Sequence, residues 1–251
     1  MHTVLVVYDG VIADECEAFR SVLGLMTNGR VTTVAAERRP HLGPGGQQSV
    51  GMTFAEAENE QVDVVIVPGG LGCERAADDQ TLREFLRRME HRVRYLAASS
   101  TGSVVLASAG VLHGGAAATH WLAGDLLRRY GSDADGRRLV VAGNVITCEG
   151  RISALDAAFA IVERIEGSAA VDRIRATLLE RGQILLAPVP WYLRLTGRIL
   201  GRATPRRPRS NASTDPAPPV TPFSVMIELV EDEQLARSLR KARRRHRTPG
   251  V

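Results

Sequence analysis

Aromatic residues make up only 4% of this chain, so a buried core has to come from Val, Leu, Ile and Ala rather than from stacked rings. Cysteine is almost as scarce. The three thiols, Cys16, Cys73 and Cys148, stand far apart, without a CxxC pair or a nearby cluster of histidines. That spacing excludes a disulfide framework and a zinc-ligand pattern, and it predicts reduced, mostly buried thiols. No apolar run approaches the length a bilayer demands, so no membrane partner is expected. No basic segment and apolar leader precede the strand-like run Val4–Val7, and a cytoplasmic location is the expectation. Neither a Walker lysine nor a GxGxxG follows Gly69-Gly70, which argues against a nucleotide. No metal or cofactor is implied.

What is present is organised. With 44% apolar residues in 251, the chain is long enough to bury a large core. Its net charge of +4 is unevenly spread: from Pro188 onward thirteen Lys or Arg face five Asp or Glu, leaving nineteen against twenty-three before it. The basic character therefore belongs to the C-terminal part, and the rest is mildly acidic. Three segments follow: a domain over 1–187, an extension with a Pro-rich linker over 188–222, and a basic tail with one helix over 223–251. Residues 202–222 hold six prolines and few apolar residues, so they read as flexible linker. The final cluster, Arg237 to Arg247, is expected to be solvated and partly disordered, or to touch nucleic-acid phosphates without sequence preference.

Within 1–187, short β-branched runs alternate with helical periodicities. Strands are predicted at 4–8, 31–35, 62–67 and 93–98, with a strand pair at 138–142 and 145–148. Helices are predicted at 16–26, 82–89, 101–109, 154–165 and 169–179. Such alternation implies a doubly wound α/β fold around a mainly parallel sheet, with ligands beyond the carboxyl ends of the strands. Two loops fall at that edge: Pro68-Gly69-Gly70 and Ser99-Ser100-Thr101.

The second loop carries chemistry. In Ala98-Ser99-Ser100-Thr101-Gly102, Ser100 stands at the tip of a strand-to-helix turn with small neighbours, as a strained nucleophile elbow requires. The competing structural role is a serine capping the following helix. His120, in Ala118-Thr119-His120-Trp121, is the candidate base, or else a loop histidine packed on Trp121. His113, Asp63 and Asp156 fit structural or solvated roles.

"VVIVPGGLG", "YLAASSTGSVVLASAGVLHGGAAATHW" and "VITCEGRISALDAAFAIVERIEG", in that order, resemble the ThiJ/PfpI superfamily of class I glutamine amidotransferase-like (flavodoxin-like) folds. The likeness is strongest to isonitrile hydratases and to the effector domains of AraC-type regulators. It spans about residues 3–180. The resemblance implies that Ser100 replaces the family's reactive cysteine, with His120 and the first-loop acid Asp14 as its partners. It also implies that Gly69, Gly70 and Thr101 bind substrate and supply oxyanion amides. A Gly-Pro usually follows the first-loop acid; Glu17-Ala18 stands here, so Glu15 and Glu17 compete with Asp14. A homodimer and a small-molecule ligand are likewise implied.

Serine in place of cysteine speaks against peroxide sensing and against any mechanism that needs a resting thiolate at this position. Three functions then rank in order. The first is a small-molecule sensor like the AraC-type effector domains, regulating transcription. The second is a hydratase or hydrolase with a Ser-His-acid arrangement. The third is a deglycation or protein-quality factor, which depends most on the missing thiol.

Overall fold

Val4, Leu5, Val6, Val64, Val65 and Ile66 are fully buried, as neighbouring parallel strands covered on both faces should be. The computed structural model of the chain describes residues 1–182. Its central sheet has seven strands in the order β5-β2-β1-β6-β7-β9-β8. These are β1 (His2–Val6), β2 (Arg30–Ala35), β5 (Met52–Thr53), β6 (Val64–Val67), β7 (Tyr95–Ser99), β8 (Leu139–Ala142) and β9 (Val145–Cys148). All pairs in it are parallel except β8 with β9. The expected doubly wound α/β architecture is what the chain adopts. The chain divides into two units, Met1–Leu178 and Leu179–Val251. Apart from the last two residues of the final helix, everything described below lies in the first. The expected linker and basic tail lie outside the described residues.

Helices cover the faces where their apolar stripes predict. In α4 (Gln80–Glu90), Leu82, Phe85, Leu86 and Met89 are buried, and Asp79 caps the start by accepting from the amides of Thr81 and Leu82. α1 (Ala13–Leu23) packs on α7 (Arg151–Glu166), and α3 (Cys73–Asp78) packs on α5 (Gly102–Ser108). α8 (Ser168–Glu180) turns Ala170, Val171, Ile174 and Leu178 inward.

Several short elements escape the periodicity. The hairpin of β3 (His41–Gly43) and β4 (Gly46–Gln48) has no alternation to announce it. α2 (Phe54–Glu58) and α6 (Gly124–Arg129) are too brief to show a stripe. Local chemistry fixes α2 instead. The Glu56 amide donates to Thr53 Oγ1 at 3.2 Å, and the Thr53 amide donates to Glu56 Oε2 at 2.7 Å, a closed capping box.

Hydrogen bonds from Arg38, then from Thr53, hold the Glu56 carboxyl at about 2, well below an ordinary glutamate. Its contribution to stability is therefore present above the unfolded value near 4.3 and is lost as pH falls through about 2. Glu56→Gln should flatten the loss of thermal stability between those limits, and melts taken across that acid range check it.

Candidate active site

The polypeptide leaves β7 at Ser99 and enters α5 at Gly102, which puts Ser100 on the sharp turn between them. Its φ is +53°, a left-handed conformation that costs a non-glycine residue roughly 1–3 kcal/mol. Close packing holds it there. The Ser100 amide donates to Cys148 O at 2.8 Å, and Ser100 O accepts from Ser103 Oγ at 2.9 Å and from Thr119 Oγ1 at 3.0 Å. The capping alternative fails. Thr101, not Ser100, occupies the N-cap of α5, and no side chain caps that helix.

The acid beside the elbow is Glu15, not Asp14. Asp14 is exposed, and its carboxylate faces Arg151 Nη1 at 3.5 Å. Glu15, one residue on, turns with Cys16 and Phe19 to the buried side of α1 and is 2% exposed. Its Oε2 accepts from the Gly69 amide at 2.7 Å and from the Ser99 hydroxyl. A methyl group on Gly69 would lie 3.0 Å from Glu15 Oε2 and 3.0 Å from Ser100 Oγ. Gly69 is thus the gap across which the carboxylate and the serine face one another. Glu17 is exposed and pairs with Arg20 at 3.3 Å, so it takes no part.

Gly70 departs from its expected role. Its amide donates to Thr101 Oγ1 at 2.9 Å, and the same hydroxyl donates back to Gly70 O at 3.1 Å. Both loop amides, Gly69 and Gly70, are therefore spent on the protein itself. The Thr101 amide has no partner among the described residues.

His120 is buried and adjoins the elbow through Thr119. Its ring lies against Trp121 at 5.9 Å, and its Nδ1 accepts the Leu122 amide at 3.2 Å. A backbone N–H only donates, so Nδ1 holds a lone pair and the neutral ring carries its proton on Nε2. The acid that faces Ser100 is thus Glu15, and His120 stands next to the residue whose hydroxyl bonds the elbow carbonyl.

Two contributors escaped the sequence reading. Ser99 clamps the Glu15 carboxylate, and the Tyr8 hydroxyl donates to Pro68 O at 2.8 Å, bracing the glycine loop. Burial, then the Cys73 thiol and the Glu15 carboxylate, raises the Tyr8 phenol well above its usual range, so it stays a neutral donor. No cluster of three or more metal-ligating side chains occurs among the described residues. No helix among them is long and apolar enough to cross a membrane.

The three native thiols are free and buried. Burial, with the Glu15 charge next, raises Cys16 to about 12. Burial raises Cys73 to about 11. Burial, then Glu15, lifts Cys148 well above its usual value. A thiol introduced by Ser100→Cys, at the foot of a helix, should therefore alkylate faster than any of them. Iodoacetamide labelling with peptide mapping checks this; equal or slower labelling would show that the elbow does not present its side chain.

A sheet of this order with a strained elbow after its fifth strand in space, facing a buried first-helix carboxylate, defines a nucleophile-elbow α/β protein. The chain belongs to the DJ-1/PfpI family, whose sequence model matches residues 3–164. An isonitrile hydratase of Pseudomonas putida is 35% identical over 129 residues, 51% of this chain and 54% of that protein. The zebrafish (Danio rerio) Parkinson disease protein 7 homolog is 32% identical over 124 residues, 47% of this chain and 63% of that protein. The matches thus span about half to somewhat under two thirds of these two relatives. Among solved structures, a ThiJ/PfpI family protein from Pseudomonas syringae superposes with a TM-score of 0.68 at 21% identity, covering 96% of this chain and 88% of that one. Drosophila melanogaster DJ-1beta gives 0.63 at 24%, covering 71% and 97%. These likenesses establish the fold.

Proposed function

We propose that this chain is an enzyme that adds water to, or hydrolyses, a small molecule at an electrophilic carbon, with carbon–nitrogen compounds such as isonitriles the first class to test. The supporting observation is the Glu15 carboxylate held opposite Ser100 across the space a Cβ on Gly69 would fill. Ser100 Oγ bonds to the substrate carbon while its proton passes to Glu15. The electron pair displaced onto substrate nitrogen or oxygen meets the Thr101 amide. Proton return from Glu15 and attack by water then release the product and restore the hydroxyl.

The sensor, ranked first on sequence, gives way to this reading. The relatives named above are an enzyme and DJ-1-type proteins, none of them a transcription regulator, and the basic stretch that would touch DNA lies outside the described residues. Deglycation stays last for want of a thiol. The test is turnover of isonitriles, esters, amides and 2-oxoaldehydes by the full chain. Ser100→Ala is expected to lower the rate on the accepted class by about a thousandfold or more. Retention of that rate in Ser100→Ala would remove the nucleophile, and binding without turnover of any class would restore the sensor.

A further inference from the structure

A second cleft opens on the same edge of the sheet, away from the elbow. It spans about 280 Å³ at the carboxyl ends of β2, β1 and β6, three adjacent strands. From β1 the chain passes to β2 on one side and later returns to β6 on the other, so the connecting loops part at this point. Open α/β sheets have their natural ligand crevice at such a reversal. The elbow, after β7, lies one strand further along. The wall beside the cleft is backbone against backbone: Leu71 N donates to Gly10 O at 2.8 Å, and a Cβ on Gly72 would sit 1.8 Å from Asp9 O.

The polar groups around this cleft are unequally satisfied. Arg39 grips the Asp9 carboxylate with both terminal nitrogens, at 3.2 and 2.8 Å, so that acid is already neutralised. Asp79 is spent on the amides of Thr81 and Leu82. Glu37 is 78% exposed at the rim, where water screens it. Arg75, by contrast, has no ion pair or side-chain hydrogen bond among the described residues. His41 is 6% exposed and tied to Asp9 Oδ1 by its Nδ1 at 3.1 Å, yet its Nε2 is buried without a partner among the described residues. Buried polar atoms are nearly always satisfied, so this orphan beside the cleft is exceptional. The floor is apolar, with Phe54 and Leu82 at the base.

We propose that this cleft is a second small-molecule site, taking a compound with a carboxylate for Arg75 and an apolar body for the floor beneath His41. It is independent of turnover at Ser100. Phenylacetate is the probe, titrated into the full chain by calorimetry, with phenylacetamide and phenethylammonium as neutral and cationic partners of the same shape. Phenylacetate should bind saturably with a Kd of roughly 1 mM or tighter. The amide and the amine should bind at least about threefold more weakly, as the loss of one exposed ion pair implies. Arg75→Gln, at an exposed position, should weaken phenylacetate by a similar factor. Ala36→Trp, which fills the cleft from an exposed backbone position, should abolish binding. Ser100→Ala should bind as the parent does, which separates this site from the elbow. No saturable binding, equal binding of acid, amide and amine, unchanged binding in Arg75→Gln, or binding lost in Ser100→Ala would each overturn the proposal.

Discussion

Glu15→Gln should reduce turnover of the accepted substrate class by roughly a hundredfold to ten-thousandfold, the range typical of losing a positioned proton carrier. The substitution keeps an oxygen to accept from the Gly69 amide and the Ser99 hydroxyl, so the loop geometry should persist. What it removes is the carboxylate that faces Ser100 across Gly69 and can take a proton. The loss should fall on kcat rather than KM, because proton transfer belongs to the chemical step. Thermal melts of the variant should stay close to the parent. Asp14→Asn is the matched control: that carboxylate is exposed and meets Arg151 at 3.5 Å, so its loss should change the rate less than about threefold. A full-rate Glu15→Gln enzyme, or a dead Asp14→Asn one, would reverse the assignment of the acid.

The two acids are adjacent in the chain, and the reason the sequence favours the wrong one is instructive. Carboxylates are almost never fully buried, so a helix start reading Ala-Asp-Glu-Cys-Glu offers no pattern that sends Glu15 inward. The rotation of α1, set by Phe19 and Val22 entering the core, decides it. The elbow was legible because small residues flank a serine between a strand run and a helix run, a demand of the backbone itself. The occupation of the Gly70 amide by Thr101 Oγ1 was not legible, since it depends on two loops 31 residues apart meeting. The tautomer of His120 was equally hidden. It is fixed by a backbone amide two residues later, and the 3-10 turn that aims that amide is too short for periodicity. The main strands and longer helices were readable because burial on one or both faces imposes a repeat. The β3–β4 hairpin, with Gly43, Gly45 and Gly46, carries none.

The second large effect is on folding. Gly102 begins α5, and a Cβ there would lie 2.0 Å from Val67 O and 2.9 Å from the Val67 carbonyl carbon. Both are main-chain atoms of β6 and the start of the glycine loop, so no side chain can rotate away to admit the methyl group. Relief requires α5 and β6 to separate. That movement would also shift Thr101, whose hydroxyl is hydrogen-bonded to Gly70 on the far side of the same gap. Gly102→Ala should therefore destabilise the domain by about 3 kcal/mol or more, beyond ordinary overpacking because the clash is with backbone. Soluble yield should fall, and the Ser100→Cys thiol should lose its labelling advantage in the double variant. Gly150 supplies the contrast: a Cβ there meets nothing within 4 Å, and its φ of 179° is open to any residue. Gly150→Ala should alter stability by no more than about 0.5 kcal/mol. Denaturant melts of the two variants measure the difference. A Gly102→Ala protein as stable as the parent would mean that the elbow is looser than the contact with Val67 requires, and the strained serine would lose its support.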